Sequence, residues 1–208
     1  MPLLNFNGNT FVAFLDISGF KELMKDDQKA IEALNHLYQT GFDVLRGNND
    51  IAGVFISDSG VLFVKNSNIN NNEKLEKILS VLQSINKRVL EHEIMLTTSI
   101  AYGHFSYMEK IEFQGIEKNQ IYGSAYVRAF LDNENGNPKI QPGQCRLIKE
   151  NLPEDLVVDE QFIRERGKHF YYYWNVRDQN NIDGFLNEYN NSYKLKYRGI
   201  LEALKSYS

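Results

Sequence analysis

Two short acidic turns carry residues able to do chemistry. Phe11-Val-Ala-Phe-Leu-Asp16-Ile-Ser-Gly-Phe20 and Val54-Phe-Ile-Ser-Asp58-Ser-Gly-Val-Leu-Phe-Val64 each set one aspartate at the edge of an apolar run. Strands hold carboxylates rigidly, and two carboxylates so held can share a pair of divalent cations, the arrangement of phosphoryl or nucleotidyl transfer. Ser18-Gly19-Phe20-Lys21 follows the first aspartate directly. A glycine there lets backbone N–H groups at a helix start approach a triphosphate. Taken singly, each aspartate also reads as a turn former or helix cap, and Asp58-Ser-Gly as an ordinary hairpin turn. The metal reading gains weight because both aspartates fall at adjacent corners of one predicted sheet.

That sheet follows from the hydrophobic pattern. Phe11 to Ile17 is apolar on both faces, as expected of a central strand. Ile31, Leu34, Leu37, Phe42 and Leu45 recur at helical spacing, and Arg46-Gly-Asn-Asn favours a stop, which predicts a helix over 28–46. Ile51–Ile56 and Val61–Val64 flank Ser-Asp-Ser-Gly as a hairpin, and Asn66–Asn72 reads as a polar loop. Leu75, Ile78, Leu79, Leu82, Ile85 and Val89 form a second helical stripe. The pattern then predicts a strand over Ile94–Tyr102 ended by Gly103, a short helix over Gly123–Leu131, a strand over Phe170–Val176 and an amphipathic helix over about Phe185–Leu204. Strand, helix, hairpin, helix, strand, helix is the order of an α/β (α+β) ferredoxin-like βαββαβ core with additions after residue 140. In that topology the first strand neighbours the second strand of the hairpin, so Asp16 and Asp58 converge.

Composition narrows the class. A chain of 208 residues with 42% apolar content buries a substantial core, and no proline- or serine-rich linker divides it, so one domain over 1–208 is expected. Lys and Arg total 23 against 27 Asp and Glu, a net charge of −4, which leaves no basic surplus for a nucleic-acid backbone. The single Cys145, the lack of a signal-like start and of any long apolar run predict a cytoplasmic protein without a membrane partner.

Phe14-Leu-Asp16-Ile-Ser-Gly-Phe20 resembles the first-strand signature of class III nucleotidyl cyclases, and Ser57-Asp58 resembles their Gly-Asp hairpin. Thr98-Ser-Ile-Ala-Tyr-Gly103 is similar to their next strand, and Gln120-Ile-Tyr-Gly123 with Val127-Arg128-Ala129 to their strand-to-helix turn. The resemblance spans about residues 11–141. Within the superfamily, Tyr122-Gly-Ser-Ala-Tyr-Val-Arg-Ala-Phe130, Asn137-Pro-Lys-Ile140 and Asp183-Gly-Phe185 look like the bacterial pyrimidine cyclases of Pycsar anti-phage systems. This implies conversion of UTP or CTP to a 3′,5′-cyclic nucleotide that activates a separate effector, in a head-to-tail homodimer with composite sites. It also implies roles. Asp16, Asp58 and the Ile17 carbonyl would hold two Mg²⁺ or Mn²⁺ ions per site. Ser18, Gly19 and Phe20 would bind terminal phosphates, and Arg128 of the partner chain would stabilise charge on the α-phosphoryl group.

Departures from the purine enzymes are equally informative. Purine-specific members carry a lysine four residues before the hairpin aspartate and an acidic residue three before the strand-to-helix glycine; here Val54 and Gln120 occupy those positions. Valine cannot donate to a ring nitrogen, whereas a glutamine amide matches either pyrimidine edge. At the offsets of the purine cyclases' transition-state Asn and Arg stand Val127 and Leu131, with Arg128 one residue away either as their substitute or as a surface charge. Lys139 reads either as a triphosphate ligand or as a solvated lysine after a proline turn. His36, His92, His104 and His169 show no ligand spacing and read as structural, and Tyr171-Tyr-Tyr-Trp174 reads as packing rather than as a base-stacking platform. Two other classes fit the same pattern. One is a non-catalytic nucleotide-binding sensor or interaction module on this fold. The other, a diguanylate cyclase or polymerase palm, is disfavoured by the Ser-Asp-Ser-Gly turn and the acidic balance.

Overall fold

A computed structural model describes residues 5–113, 116–192 and 196–208. The chain opens with β1 (Phe6–Ile17), a single-turn helix α1 (Phe20–Leu23) and α2 (Asp27–Leu45). The hairpin β2 (Ile51–Ile56) and β3 (Ser59–Val64) leads to α3 (Asn71–Glu91), then to the hairpin β4 (Leu96–Phe113) and β5 (Ile116–Tyr122), and to α4 (Ser124–Asn135). Three short strands follow, β6 (Cys145–Ile148), β7 (Ile163–Arg166) and β8 (His169–Tyr172). Helices α5 (Ile182–Ser192) and α6 (Lys196–Tyr207) end the fold.

The sheet runs β2-β3-β1-β4-β6-β8-β7, with β5 paired to β4. Its first four strands have the order of the predicted βαββαβ core, and β1 lies antiparallel to both β3 and β4. Alternation along β1 divides the interior. Phe11, Ala13, Leu15 and Ile17 face one core with α2, α3, α5 and α6, built on residues such as Leu37, Leu82, Phe185 and Leu204. Val12 and Phe14 face the other side, where Ala125 and Ala129 of α4 pack over Phe63 and Phe105. Asp16 continues that second series, so its carboxylate emerges on the α4 face.

Local chemistry explains the helix bounds. Asp26 caps α2 by accepting from the Lys29 N–H at 3.3 Å. Asn70 and Glu73 form a reciprocal capping box on α3, so the tail of the expected polar loop, from Asn71, is already helix.

Other expectations need correction. Gly103 does not end its strand: β4 runs on to Phe113 and pairs with β1 as far as Phe6–Tyr107. The glycine serves close packing instead, since a Cβ there would stand 2.6 Å from Arg128 Nη2 and 2.9 Å from Ser124 Oγ on α4. The predicted strand over 170–176 stops at Tyr172, and the predicted last helix is two, α5 and α6. The aromatic run does pack: Tyr171 and Trp174 are buried, and the Trp174 Nε1–H donates to the Gly143 carbonyl at 2.8 Å.

Ser57 opens the β2–β3 turn with φ 55°, a left-handed conformation that costs a side chain about 1–2 kcal/mol. Glycine adopts it freely but orders at a greater entropic cost of about 0.5–1 kcal/mol, so Ser57→Gly is expected to stabilise by about 0.5 kcal/mol. Urea denaturation checks this; a loss of stability would show that the turn is not strained.

Candidate active site

The two aspartates meet where β1 ends. Asp16 pairs with Ser59 across the β1–β3 ladder, which sets the β2–β3 turn against it, and the Ile17 N–H donates to the Asp58 carbonyl at 3.0 Å. Ser59 Oγ–H donates to Asp16 Oδ1 at 2.8 Å. Burial raises the Asp16 pKa to about 6; the Ser59 hydrogen bond partly offsets this, and the negative charges of Asp58 and Glu134 add to it. A half-buried carboxylate held beside like charge is one that a divalent cation would stabilise.

Past Asp16 the chain turns sharply. The Ser18 N–H donates to the Met95 carbonyl at 2.8 Å, and Gly19, at φ 78°, turns the chain into α1. Phe20 anchors the turn by burying its ring in the core. Ser18 is buried and its hydroxyl lacks a partner, a polar atom left over beside the proposed phosphate position.

The remaining expected residues lie elsewhere. Val54, half-buried opposite Val61, belongs to the α4-face core near the aspartates. Arg128 reaches from α4 to the Tyr102 carbonyl. β1 pairs Phe11 with Tyr102 and Asp16 with Thr97, so this contact lies five positions along the ladder from Asp16, about 17 Å of extended strand. Gln120 is exposed on β5 opposite Met108, farther along again. Lys139 is exposed after α4, its carbonyl accepting from Gln141 Nε2 at 3.0 Å. Within one chain, then, Asp16, Ile17, Ser18, Gly19, Phe20, Val54 and Asp58 group at one end of the sheet, while Arg128 and Gln120 stand apart.

Sequence reasoning missed the charged surroundings of Arg128. A cavity of about 580 Å³ has both signs of charge on its wall, Arg128, Lys149 and Lys168 beside Asp132 and Glu150. Asp132 belongs to a largely buried ionic cluster. One turn after Arg128 on α4, it accepts from Arg146 Nε at 2.8 Å and Nη2 at 3.0 Å, from Ser99 Oγ at 2.6 Å, and bonds His169 Nε2 at 2.8 Å. Ser59 and Glu134 were also missed. Ser59 was discoverable from its place directly after Asp58, whereas the position of Glu134 depends on where α4 crosses the sheet.

Each of the four histidines has a ring or hydrogen-bond partner. His36 and His92 stack with ring centroids 3.6 Å apart, and His104 Nε2 bonds Asn7 Oδ1 at 2.9 Å. Among the described residues, no group of three or more His, Cys, Asp or Glu side chains makes a ready cage for a metal ion, and no helix is long and apolar enough to cross a membrane.

No family model and no curated protein matches this chain. Solved structures do. The adenylyl cyclase CyaB from P. aeruginosa superposes with TM-score 0.56 at 16% identity, over 82% of this chain and 95% of that one. The catalytic core of a rhodopsin-guanylyl cyclase with converted specificity, in complex with ATPαS, gives 0.55 at 13% identity over 81% and 96%. The chain has the cyclase fold. A dimeric guanylyl cyclase domain of the RhoGC fusion protein from Blastocladiella emersonii, at 0.54 and 13% identity over 82% and 97%, adds a third example. This chain's cyclase fold includes Asp16 and Asp58 at one end of β1 and α4 across the same face.

Proposed function

We propose that this protein is a pyrimidine nucleotide cyclase, converting UTP or CTP to the 3′,5′-cyclic monophosphate and pyrophosphate. The observation that carries this reading is the convergence of Asp16 and Asp58 beside the Ser18-Gly19-Phe20 turn. Adenylyl and guanylyl cyclase structures of the same fold support a cyclase in general. The pyrimidine assignment rests on Val54 and Gln120, which replace the purine readers. The likeness to Pycsar enzymes supports a cytoplasmic second messenger in antiviral defence, read by a separate effector.

Asp16, Asp58 and the Ile17 carbonyl would hold Mg²⁺ or Mn²⁺, and two carboxylates suit a cation that takes its remaining ligands from triphosphate and water. Ions held there would supply Lewis acidity toward the ribose 3′-hydroxyl and positive charge for the pyrophosphate leaving group. The chain's own residues do the rest. Ser59 orients Asp16, the N–H groups of Gly19 and Phe20 receive terminal phosphates, and the close side of the turn keeps the α-phosphate aligned. Arg128 supplies positive charge, and because it lies some five ladder positions from Asp16 in its own chain, it serves the site of a second copy. Exposed apolar residues on the α4 face, Val127 at 47% and Leu131 at 49%, with Ile56 at 64% on the β2–β3 hairpin, suit that association. Lys168, lining the cavity beside Arg128, fits the triphosphate of the partner's substrate.

Incubating the protein with Mn²⁺ and each of ATP, GTP, CTP and UTP, with products identified by mass spectrometry, tests the reaction and the base together. A cyclic purine product would overturn the reading of Val54 and Gln120. Val127 and Leu131, at the positions of the missing Asn and Arg, favour a second reading, a nucleotide-binding sensor; equilibrium binding without turnover would select it.

Composite sites make a further prediction. Arg128→Ala is expected to lower turnover about 10²-fold, the usual cost of removing one charge-stabilising donor. Mixed with Asp16→Asn protein, it should regain activity, because the heterodimer keeps one intact site. Mixtures no more active than either variant would show that Arg128 does not serve the site of a second copy.

A further inference from the structure

The C-terminal helix α6 reaches the proposed phosphate turn through one side chain. Tyr197, in its first turn, stands with its ring beside Gly19: a Cβ built on Gly19 would lie 4.0 Å from Tyr197 Cε2. Its hydroxyl donates to the Glu93 carbonyl at 2.9 Å. The Met95 carbonyl is the acceptor of the Ser18 N–H at 2.8 Å. Glu93 is held at φ 62°, an uncommon backbone state for a residue with a side chain, and Lys205 of α6 pairs with its carboxylate at 3.0 Å. Glu93–Met95 is thus clasped between the phosphate turn and α6. Behind the clasp, Ile200, Leu201 and Leu204 share one core cluster with Ile17 and Phe20.

We propose that Tyr197 is a positioning residue: ring and hydroxyl hold the Asp16–Phe20 turn in the shape that receives a nucleoside triphosphate, so α6 sets nucleotide affinity without touching nucleotide. The proposal rests on the cyclase reading above. It assigns a function to the C-terminal helix, which lies outside the βαββαβ motif and packs on its core. Anything that lifts α6 from the core would slacken the turn that the N–H groups of Gly19 and Phe20 depend on. The Lys205–Glu93 pair, exposed on both sides, adds little by itself.

Two variants of the protein separate the contacts. Tyr197→Phe removes the hydroxyl bond and keeps the ring; Tyr197→Ala removes both. With Mn²⁺ and UTP or CTP, Tyr197→Ala is expected to raise KM about 5–20-fold with kcat within about threefold, and Tyr197→Phe to raise KM about twofold to fivefold. Amide hydrogen exchange at Ser18, whose N–H is bonded to the Met95 carbonyl, should quicken in the same order. A folded Tyr197→Ala protein with unchanged KM and unchanged exchange at Ser18 overturns the proposal. Should the alanine variant not fold, unaltered exchange in Tyr197→Phe overturns it equally. Wild-type protein that turns over no nucleotide refutes the cyclase reading and with it the claim on affinity, and the exchange data then show or refute the clasp by themselves.

Discussion

Replacing Asp16 by asparagine is expected to abolish nucleotide turnover and at the same time to raise the thermal midpoint of the metal-free protein. The first effect follows from removing one of the two carboxylates proposed to hold a cation, at a cost of at least about 10³-fold in rate. The second follows from the environment that makes the residue useful. Burial, with Asp58 and Glu134 nearby, raises its pKa from 3.8 to about 6. Between those values the folded chain keeps a proton that the unfolded chain gives up. This stabilisation is whole below about pH 3.8 and is lost as pH rises through about 6. At pH 8 the ionised Asp16 therefore works against the fold. Asparagine retains an acceptor for Ser59 Oγ and carries no charge, so it should stabilise by about 1–2 kcal/mol at pH 8, a figure lowered for solvent screening of a half-buried group. The gain should shrink toward pH 5. Saturating Mn²⁺ should raise the wild-type midpoint and leave that of Asp16→Asn nearly unmoved. Turnover by the variant within tenfold of wild type would remove the two-metal proposal, and an unshifted midpoint at pH 8 would show that ionised Asp16 carries no folding cost.

The same residue illustrates how much of the site is written in local sequence. Asp16 and Asp58 are legible because strand order is coded locally: the two-sided apolar run at Phe11–Ile17 marks a central strand, and the hairpin break at Ser57–Gly60 fixes which strand can lie beside it. Helices α2 and α3 are legible for the same reason, since a stripe repeated over several turns leaves no competing period. The misses have a common cause. β6 and β7 are four residues each and gain their stability from distant partners, β6 by parallel pairing with β4. Gly103 is a strand terminator by local chemistry, yet the approach of α4 makes it a packing position within β4. Arg146, 0% exposed, has the composition of a surface residue, and only its carboxylate partner on another element admits it to the interior. Asp132 gives no sign in sequence that it is that partner.

That partnership sets the largest stability effect expected from a single substitution. Arg146 Nε and Nη2 grip the Asp132 carboxylate, Nη2 also reaches the Asp132 carbonyl at 3.0 Å, and Nη1 donates to the Pro138 carbonyl at 2.7 Å. Burial by itself would raise the Asp132 pKa; hydrogen bonds from His169, Ser99 and Arg146 outweigh it and hold the carboxyl below its ordinary value. Its contribution to stability is therefore present above the unfolded value near 3.8 and lost as pH falls through the lower folded value. Asp132→Ala strands a guanidinium in the interior, which typically costs about 3–5 kcal/mol. For a domain of this size that is a fall of roughly 10–15 °C in midpoint. The loss should be largest at neutral pH and should narrow in acid, where the wild-type carboxylate also begins to lose its charge. Pairing the change with Arg146→Met should recover most of the stability, because the buried charge then disappears along with its partner. A double-mutant cycle measures this as a coupling of at least about 2 kcal/mol. A single Asp132→Ala loss below about 1 kcal/mol would mean that Arg146 finds solvent or another acceptor. The recovered double variant then addresses function. It restores an apolar seat for α4 without the ionic clasp one turn from Arg128, so stability regained with turnover still depressed would show that the cluster orients Arg128 as well as holding the helix.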